Sequence, residues 1–145
     1  GEATGGMHGA DRIGGLSSAN GIVFGRIAGA SAAQAAQKEP ETALKADIAL
    51  PQYGIAATDA ERLTHSLRHT MSTYCMINRT ETGLSEALHE LENIQDDATA
   101  LNKPHANDSE IAALARIQSQ IQLAQEMVKA MRNRTESLGS HYRAN

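Results

Sequence analysis

Tryptophan is absent from this sequence, and one phenylalanine and three tyrosines bring the aromatic share to only 3%. Any core must therefore be aliphatic, built from Leu, Ile, Val, Met and Ala. A single cysteine, Cys75, excludes an internal disulfide and fits a reducing compartment. Within a helical stretch it reads as a small buried side chain. No apolar run is long enough to span a bilayer. Neither sign of charge dominates: 13 Lys and Arg stand against 17 Asp and Glu, a formal net charge of −4. That balance gives no electrostatic reason to expect nucleic acid or an anionic membrane surface as a partner. Proline is scarce as well, with three residues in 145, which leaves long stretches free to be helical.

Glycine, by contrast, is concentrated at the start, with six in the first fifteen residues. Residues 1–16 carry no apolar periodicity and read as a loop around one arginine, Arg12. Ser17 or Ser18 can cap a helix over residues 17–37. Ile22, Val23, Ile27, Ala30 and Ala33 give that helix an apolar side, and Gly21, Gly25 and Gly29 give it a bare stripe. Interior glycines cost a helix roughly 1 kcal/mol each against alanine, so three of them imply a crowded neighbour. Asn20 and Arg26 interrupt the segment and argue against a membrane glycine zipper. Glycines let a backbone approach a ligand closely, and a helix opening behind them presents free N–H groups and a positive dipole end. The stretch reads as an anion or cofactor site.

Residues 38–57 read as a linker, marked by Pro40, Pro51 and Gly54, with a short helical turn expected around 42–48. Three further helices follow. The first covers 58–77, with Thr58 and Glu61 at capping-box spacing and Leu63, Leu67, Met71 and Tyr74 on one face. The second covers 80–101, with Leu84, Leu88, Leu91, Ile94 and Ala98 as its stripe and Lys103-Pro104 beyond its end. The third covers 108–135 and ends by Gly139. Its Leu114, Ile117, Ile121, Ala124, Val128 and Met131 form a heptad seam suited to near-antiparallel packing. The expected fold is mainly α: residues 1–37 as loop and helix, a linker, and an antiparallel three-helix bundle over 58–145.

The opening residues also resemble a known family. Gly1-Glu2, then Gly-Gly-Met-His-Gly-Ala-Asp-Arg-Ile-Gly-Gly, then Ile-Val-Phe-Gly-Arg-Ile-Ala-Gly resembles the last cofactor-contacting segment of the fumarate reductase and succinate dehydrogenase flavoproteins, a family that includes L-aspartate oxidase. Within Met71–Leu88, the run Met-Ile-Asn-Arg-Thr-Glu-Thr-Gly-Leu-Ser-Glu-Ala-Leu is similar to the family's Gly-Ile-x-Arg-x-x-x-Gly-Leu-x-x-Ala-Leu. Arg-Thr-Glu-Ser-Leu-Gly-Ser-His-Tyr-Arg, ending at Arg143, is similar to its Arg-Lys-Glu-Ser-Arg-Gly-Ala-His-Tyr-Arg. The chain departs from the common pattern at Asp11 (usually Asn), Leu16 (Asn), Ser18 (Leu) and Asn20 (Asp). Because Asp11 and Leu16 flank Arg12, these departures bear on the substrate more than on the cofactor.

The resemblance implies a set of roles. Glu2 would grip FAD, Ser17 and Ser18 would touch the flavin, and Arg12 would bind a carboxylate of the dicarboxylate substrate. A guanidinium suits that task because it stays charged and forks onto a carboxylate. His8, four residues before Arg12, is a candidate to assist there, but its position on a loop favours simple donation to a backbone carbonyl. The family's proton-donating arginine and phosphate-cradling glycine fingerprint are not in these residues, so no catalytic residue is expected here. The segment is expected to be the C-terminal piece of a longer flavoprotein, completing an FAD-binding domain and inactive alone. His65 and His69 share a helix face four residues apart, but with no third ligand no metal site is expected. His141, Tyr142 and Arg143 read as contacts to the flavoprotein body.

The implied activity is flavin hydride transfer between succinate and fumarate, with the rest of the flavoprotein and an iron–sulfur electron-transfer subunit as partners. The implied location is cytoplasmic, or peripheral at the inner face of the membrane without inserting. An aspartate oxidase-type flavoenzyme, or a non-catalytic helical interaction module, is the alternative.

Overall fold

A computed structural model describes residues 5–9, 11–38 and 51–144. The described elements run α1 (Leu16–Ala36), β1 (Tyr53–Gly54), α2 (Ala57–Tyr74), β2 (Asn78–Arg79), α3 (Glu81–Ala100), β3 (Lys103–Pro104), α4 (Asp108–Asn133) and β4 (Tyr142–Arg143). The chain is mainly helical and divides into two compact units, residues 1–48 and 49–145. The helical turn expected at 42–48, and Glu2, lie outside the described residues.

The second unit has a closed aliphatic core. Helices α2, α3 and α4 each pack on the other two. All of Leu114, Ile117, Ile121, Ala124 and Val128 on α4 are buried, and so are Leu84, Leu91, Ile94 and Ala98 on α3. Met131, Leu88, Leu67, Met71 and Tyr74 are partly buried against this cluster, while Leu63 is fully buried. Apolar residues at helical spacing thus end on the inner faces, as burial of aliphatic surface demands. Cys75 is buried at the C-cap of α2, and burial raises its thiol pKa while the nearby Arg79 charge opposes the rise.

Residues 53–57, expected in the linker, belong instead to this unit. Tyr53 and Gly54 pair antiparallel with Pro104 and Lys103, and Ile55 is fully buried. Gly54 has a packing reason to be glycine. A Cβ there would stand 2.5 Å from the Ala106 Cβ and 2.6 Å from the Glu110 carbonyl carbon. The Ile55 N–H donates to the Glu110 carbonyl oxygen at 3.2 Å, which fastens β1 to α4.

Helix starts also depart from expectation. α2 begins at Ala57 with Ala56 as its N-cap and no side-chain cap, so Thr58 and Glu61 do not form a capping box. The box occurs at α4. There the Asn107 Oδ1 accepts from the Glu110 N–H, and the Glu110 carboxylate accepts from the Asn107 N–H. Thr80 caps α3 through Gly83. α4 ends at Asn133, well before Gly139, because the chain must turn there to bring β4 alongside β2.

Candidate functional site

The first unit holds the residues that the opening loop singles out. Gly15 is the N-cap of α1, in the left-handed region at φ 86°, a conformation that a side chain would strain. The helix therefore starts at Leu16. Ser17 and Ser18 lie inside its first turn and are not its caps, and no side chain caps it at all. Their backbone N–H groups sit at the positive end of the helix.

Ahead of this helix mouth, the loop folds back and leaves a hollow of about 300 Å³. Gly5, Met7, His8, Arg12, Ser17, Asn20 and Gly21 line it. Arg12 and Ser17, which the sequence pattern links, are therefore brought to one place, with His8 beside them. Ser18 is exposed and does not line the hollow. Among the described residues the Arg12 guanidinium forms no ion pair. Its neighbour Asp11 directs its carboxylate to the Arg12 backbone N–H at 2.7 Å. His8 is half-buried, with both ring nitrogens 3.3 Å from the Asn20 side-chain nitrogen. Asn20 figures in the sequence as a departure from a family pattern and as a polar break in the glycine-striped segment, not as a partner of His8. No periodic signal could pair it with His8, since one residue stands on a loop and the other on a helix.

α1 itself is unlike the other helices, for it buries none of its residues. Ile22, Val23, Phe24 and Ile27 are all exposed, and a Cβ at Gly21, Gly25 or Gly29 would meet nothing within 4 Å.

The tail of the second unit forms a separate polar cluster. Tyr142 and Arg143 pair in parallel with Asn78 and Arg79. The His141 Nδ1 accepts from the Arg79 guanidinium at 2.6 Å, and its Nε2–H donates to the Arg134 carbonyl at 2.9 Å. Those two partners fix the neutral Nε2–H tautomer. Glu81 accepts from both Arg132, at 2.5 Å, and Arg143, at 2.8 Å. Hydrogen bonds from Arg143 first, then Arg132, hold the Glu81 carboxyl below the usual carboxylate range. Glu110 is lowered in the same way, chiefly by Lys103. His141 and Arg143, expected as contacts to the flavoprotein body, are thus engaged within their own unit, while Tyr142 stays exposed. The reason is local: β4 lies against β2, which brings their side chains within reach of Arg79 and Glu81.

His65 and His69 are exposed on α2, and no metal-binding group of His, Cys, Asp or Glu exists among the described residues. A larger hollow of about 530 Å³ lies along α2 and α4 beside His65, Arg68 and Arg116. Apart from His65, it contains none of the residues that the sequence marks as candidate ligands or site residues. No helix among the described residues is long and apolar enough to cross a membrane.

The family model described as fumarate reductase flavoprotein C-term matches residues 64–145. The chain belongs to this fumarate reductase flavoprotein C-terminal family. The matched span covers α3, α4, the tail cluster and most of α2. Over 99% of its length the chain is also 32% identical to a protein of Methanocaldococcus jannaschii named as an FAD-dependent oxidoreductase. It is 28% identical, again over 99%, to a subunit of the fumarate reductase (CoM/CoB) of Methanothermobacter marburgensis. The chain spans 27% and 28% of the length of these two relatives. No solved structure matches it. Both relatives align over nearly the whole chain, the opening loop included, whereas the family model begins at residue 64.

Proposed function

We propose that this chain is the C-terminal part of an FAD-dependent oxidoreductase that interconverts succinate and fumarate. The observation that carries the reading is the Arg12 guanidinium. It lines a glycine-walled hollow at a helix mouth, and its adjacent acid is turned away onto backbone. A charged fork with no acid partner among the described residues suits the carboxylate of a small diacid.

The residues fit an FAD site. A Cβ at Gly5, Gly6 or Gly9 would meet nothing within 4 Å, so the loop leaves room for close approach. The first turn of α1 has no side-chain cap competing for its N–H groups. Ser17 and Ser18 would present those groups to the flavin, and Glu2, by family likeness, would accept from hydroxyls of the cofactor. When bound, FAD supplies the hydride chemistry. Arg12 fixes one end of the substrate, and that positioning is this segment's part in the rate. His8 adds a polar edge to the same hollow.

The loop and α1 (residues 1–37) complete the FAD-binding domain. Residues 58–145 form an antiparallel three-helix bundle that packs on the flavoprotein and adjoins an electron-transfer subunit. The exposed apolar residues of α1 support a neighbour on that helix.

The test uses the intact flavoprotein with a reduced dye as donor. Fumarate is reduced, and Arg12→Gln lowers kcat/KM about 100- to 1000-fold, as loss of one charge-stabilising donor does, with FAD content unchanged. An Arg12→Gln enzyme as active as the parent overturns the role of Arg12. Oxygen-dependent turnover of aspartate in place of fumarate moves the reading to an aspartate oxidase-type enzyme.

A further inference from the structure

The hollow along α2 and α4 lies wholly in the second unit and shares no residue with the hollow of Arg12. Small side chains make it. Ala57 and Ala60 on α2, with Ala112 and Ala113 on α4, leave about 530 Å³ open beside the buried Ile117. A second hollow of about 220 Å³ lies between Leu67 and Met71 on α2 and Leu123 and Met127 on α4. Thr64, Arg68 and Gln120 line both, so the two form one groove. Its lining advances from Ala57 to Met71 on one helix and from Ser109 to Met127 on the other. The two helices therefore run in the same direction, and the groove is roughly 20 Å long at about 1.5 Å per residue.

The groove changes character along its length. Arg68 and Arg116 line its wide end with His65, and neither arginine has an ion pair among the described residues. Arg62, by contrast, is paired with Asp97, and Arg132 and Arg143 with Glu81. The one acid lining the groove is Glu61, two helical turns before Arg68. The narrow end is apolar: Leu123 is 62% exposed and Met127 43%, with Leu67 and Met71 half-buried beside them. Where the two ends join, the Gln120 Oε1 is buried without a donor among the described residues. A buried acceptor of this kind is costly until a donor reaches it.

We propose that this groove docks an acidic amphipathic helix of a separate polypeptide. Apolar side chains of its first turns lie on Met71, Leu123 and Met127, where methionines adapt to an incoming shape. Carboxylates one or two turns further on reach Arg68 and Arg116, and a polar side chain between them donates to Gln120. Because α2 and α4 point the same way, a helix seated antiparallel to both brings its negative end toward their N-terminal turns. A free anion would engage the arginines and leave the apolar half bare, whereas a helix laid in the groove uses both halves. The inference goes beyond the oxidoreductase reading, since it needs neither Arg12 nor FAD.

The probe is a fluorescein-labelled synthetic helix with Leu in its first two turns and two Glu in its third, added to the intact flavoprotein and followed by anisotropy. A control helix carries Lys in place of both Glu. The acidic helix should bind with a Kd of about 10–100 μM, and more weakly as sodium chloride is raised. Arg68→Glu combined with Arg116→Glu should weaken it at least about 10-fold and let the Lys helix bind in its stead. Leu123→Ser should weaken it about 3- to 10-fold with the salt dependence unchanged. All three positions are exposed, so the melting temperature and the flavin-linked activity should stay at their unmutated values.

No binding of the acidic helix, equal binding of the two helices, or an unaltered preference in the double arginine variant would overturn the proposal. Unmutated affinity in Leu123→Ser would overturn it as well, because the apolar half would then be idle. Displacement of the helix by inorganic phosphate at constant ionic strength would make the wide end a small-anion site instead, and would count against a docked helix.

Discussion

In α4, Leu114, Ile117, Ile121, Ala124 and Val128 are each at most 5% exposed; in α1, Ile22, Val23, Phe24 and Ile27 are each at least 40% exposed. The two helices are both long and both rich in aliphatic residues, yet only one has an apolar surface to meet. The second unit closes its own core and, at its tail, ties Arg132 and Arg143 to Glu81. The first keeps an arginine without an acid and a helix without a burying face among the described residues. Substitutions in the core of the second unit should therefore act through stability, and those in the first unit through binding.

The widest gap is expected between two large-to-small changes in the purified chain. Leu91→Ala should cost about 3 kcal/mol or more, because its fully buried site leaves a cavity. Ile22→Ala, at a site 72% exposed, should cost under about 0.5 kcal/mol. Urea denaturation followed by helical circular dichroism reads both. Equal losses would mean that α1 has a buried partner and would erase the contrast.

Two glycines sharpen the comparison at lower cost. Gly54→Ala should destabilise by about 1–3 kcal/mol, since its Cβ would collide with the Glu110 backbone, which cannot swing aside. Gly25→Ala meets nothing and should favour helix by up to about 1 kcal/mol. The same Gly25→Ala change in the intact flavoprotein should lose that gain, if the bare stripe exists to admit a neighbour. Thermal melts of both forms decide it.

The smallest effect is electrostatic. Glu81 and Glu110 are held ionised below the usual carboxylate range by Arg143 and Arg132 and by Lys103. A carboxylate with a lowered folded pKa binds fewer protons than its unfolded counterpart in that range. Its contribution is therefore present above the unfolded pKa and lost as pH falls through the folded value. Glu81→Gln should flatten the acid limb of the stability–pH curve slightly and leave neutral stability little changed, since the pairs are solvent-exposed. An unchanged acid limb would show the pairs to be energetically idle.

The fold was most legible where one local pattern sufficed. The seam from Leu114 to Val128 could be read because residues three and four apart share a helix face whatever lies opposite. It was least legible where distant segments meet. Gly54 looks like linker punctuation until Ala106 and Glu110 are placed against it. Thr58 and Glu61 have capping-box spacing, but α2 starts too early for Thr58 to serve as the cap. Asn107 and Glu110 carry the same signature and do form the box. In the site, Arg12 and Ser17 were legible as neighbours of a glycine loop, while the His8–Asn20 contact was not.

What the amino-acid order settled by itself is therefore the helical content and the inward faces of α3 and α4, because apolar spacing along one helix is a local property. What only the three-dimensional arrangement decided is which groups stand opposite one another. Two-residue strands carry no periodicity, so neither pairing of β1 with β3 nor of β2 with β4 could be read beforehand. The fate of His141, Arg143 and Arg12 followed from that arrangement. A polar side chain reaches whichever partner the fold brings near, and the fold brought a guanidinium and a carbonyl to His141, Glu81 to Arg143 and a hollow to Arg12.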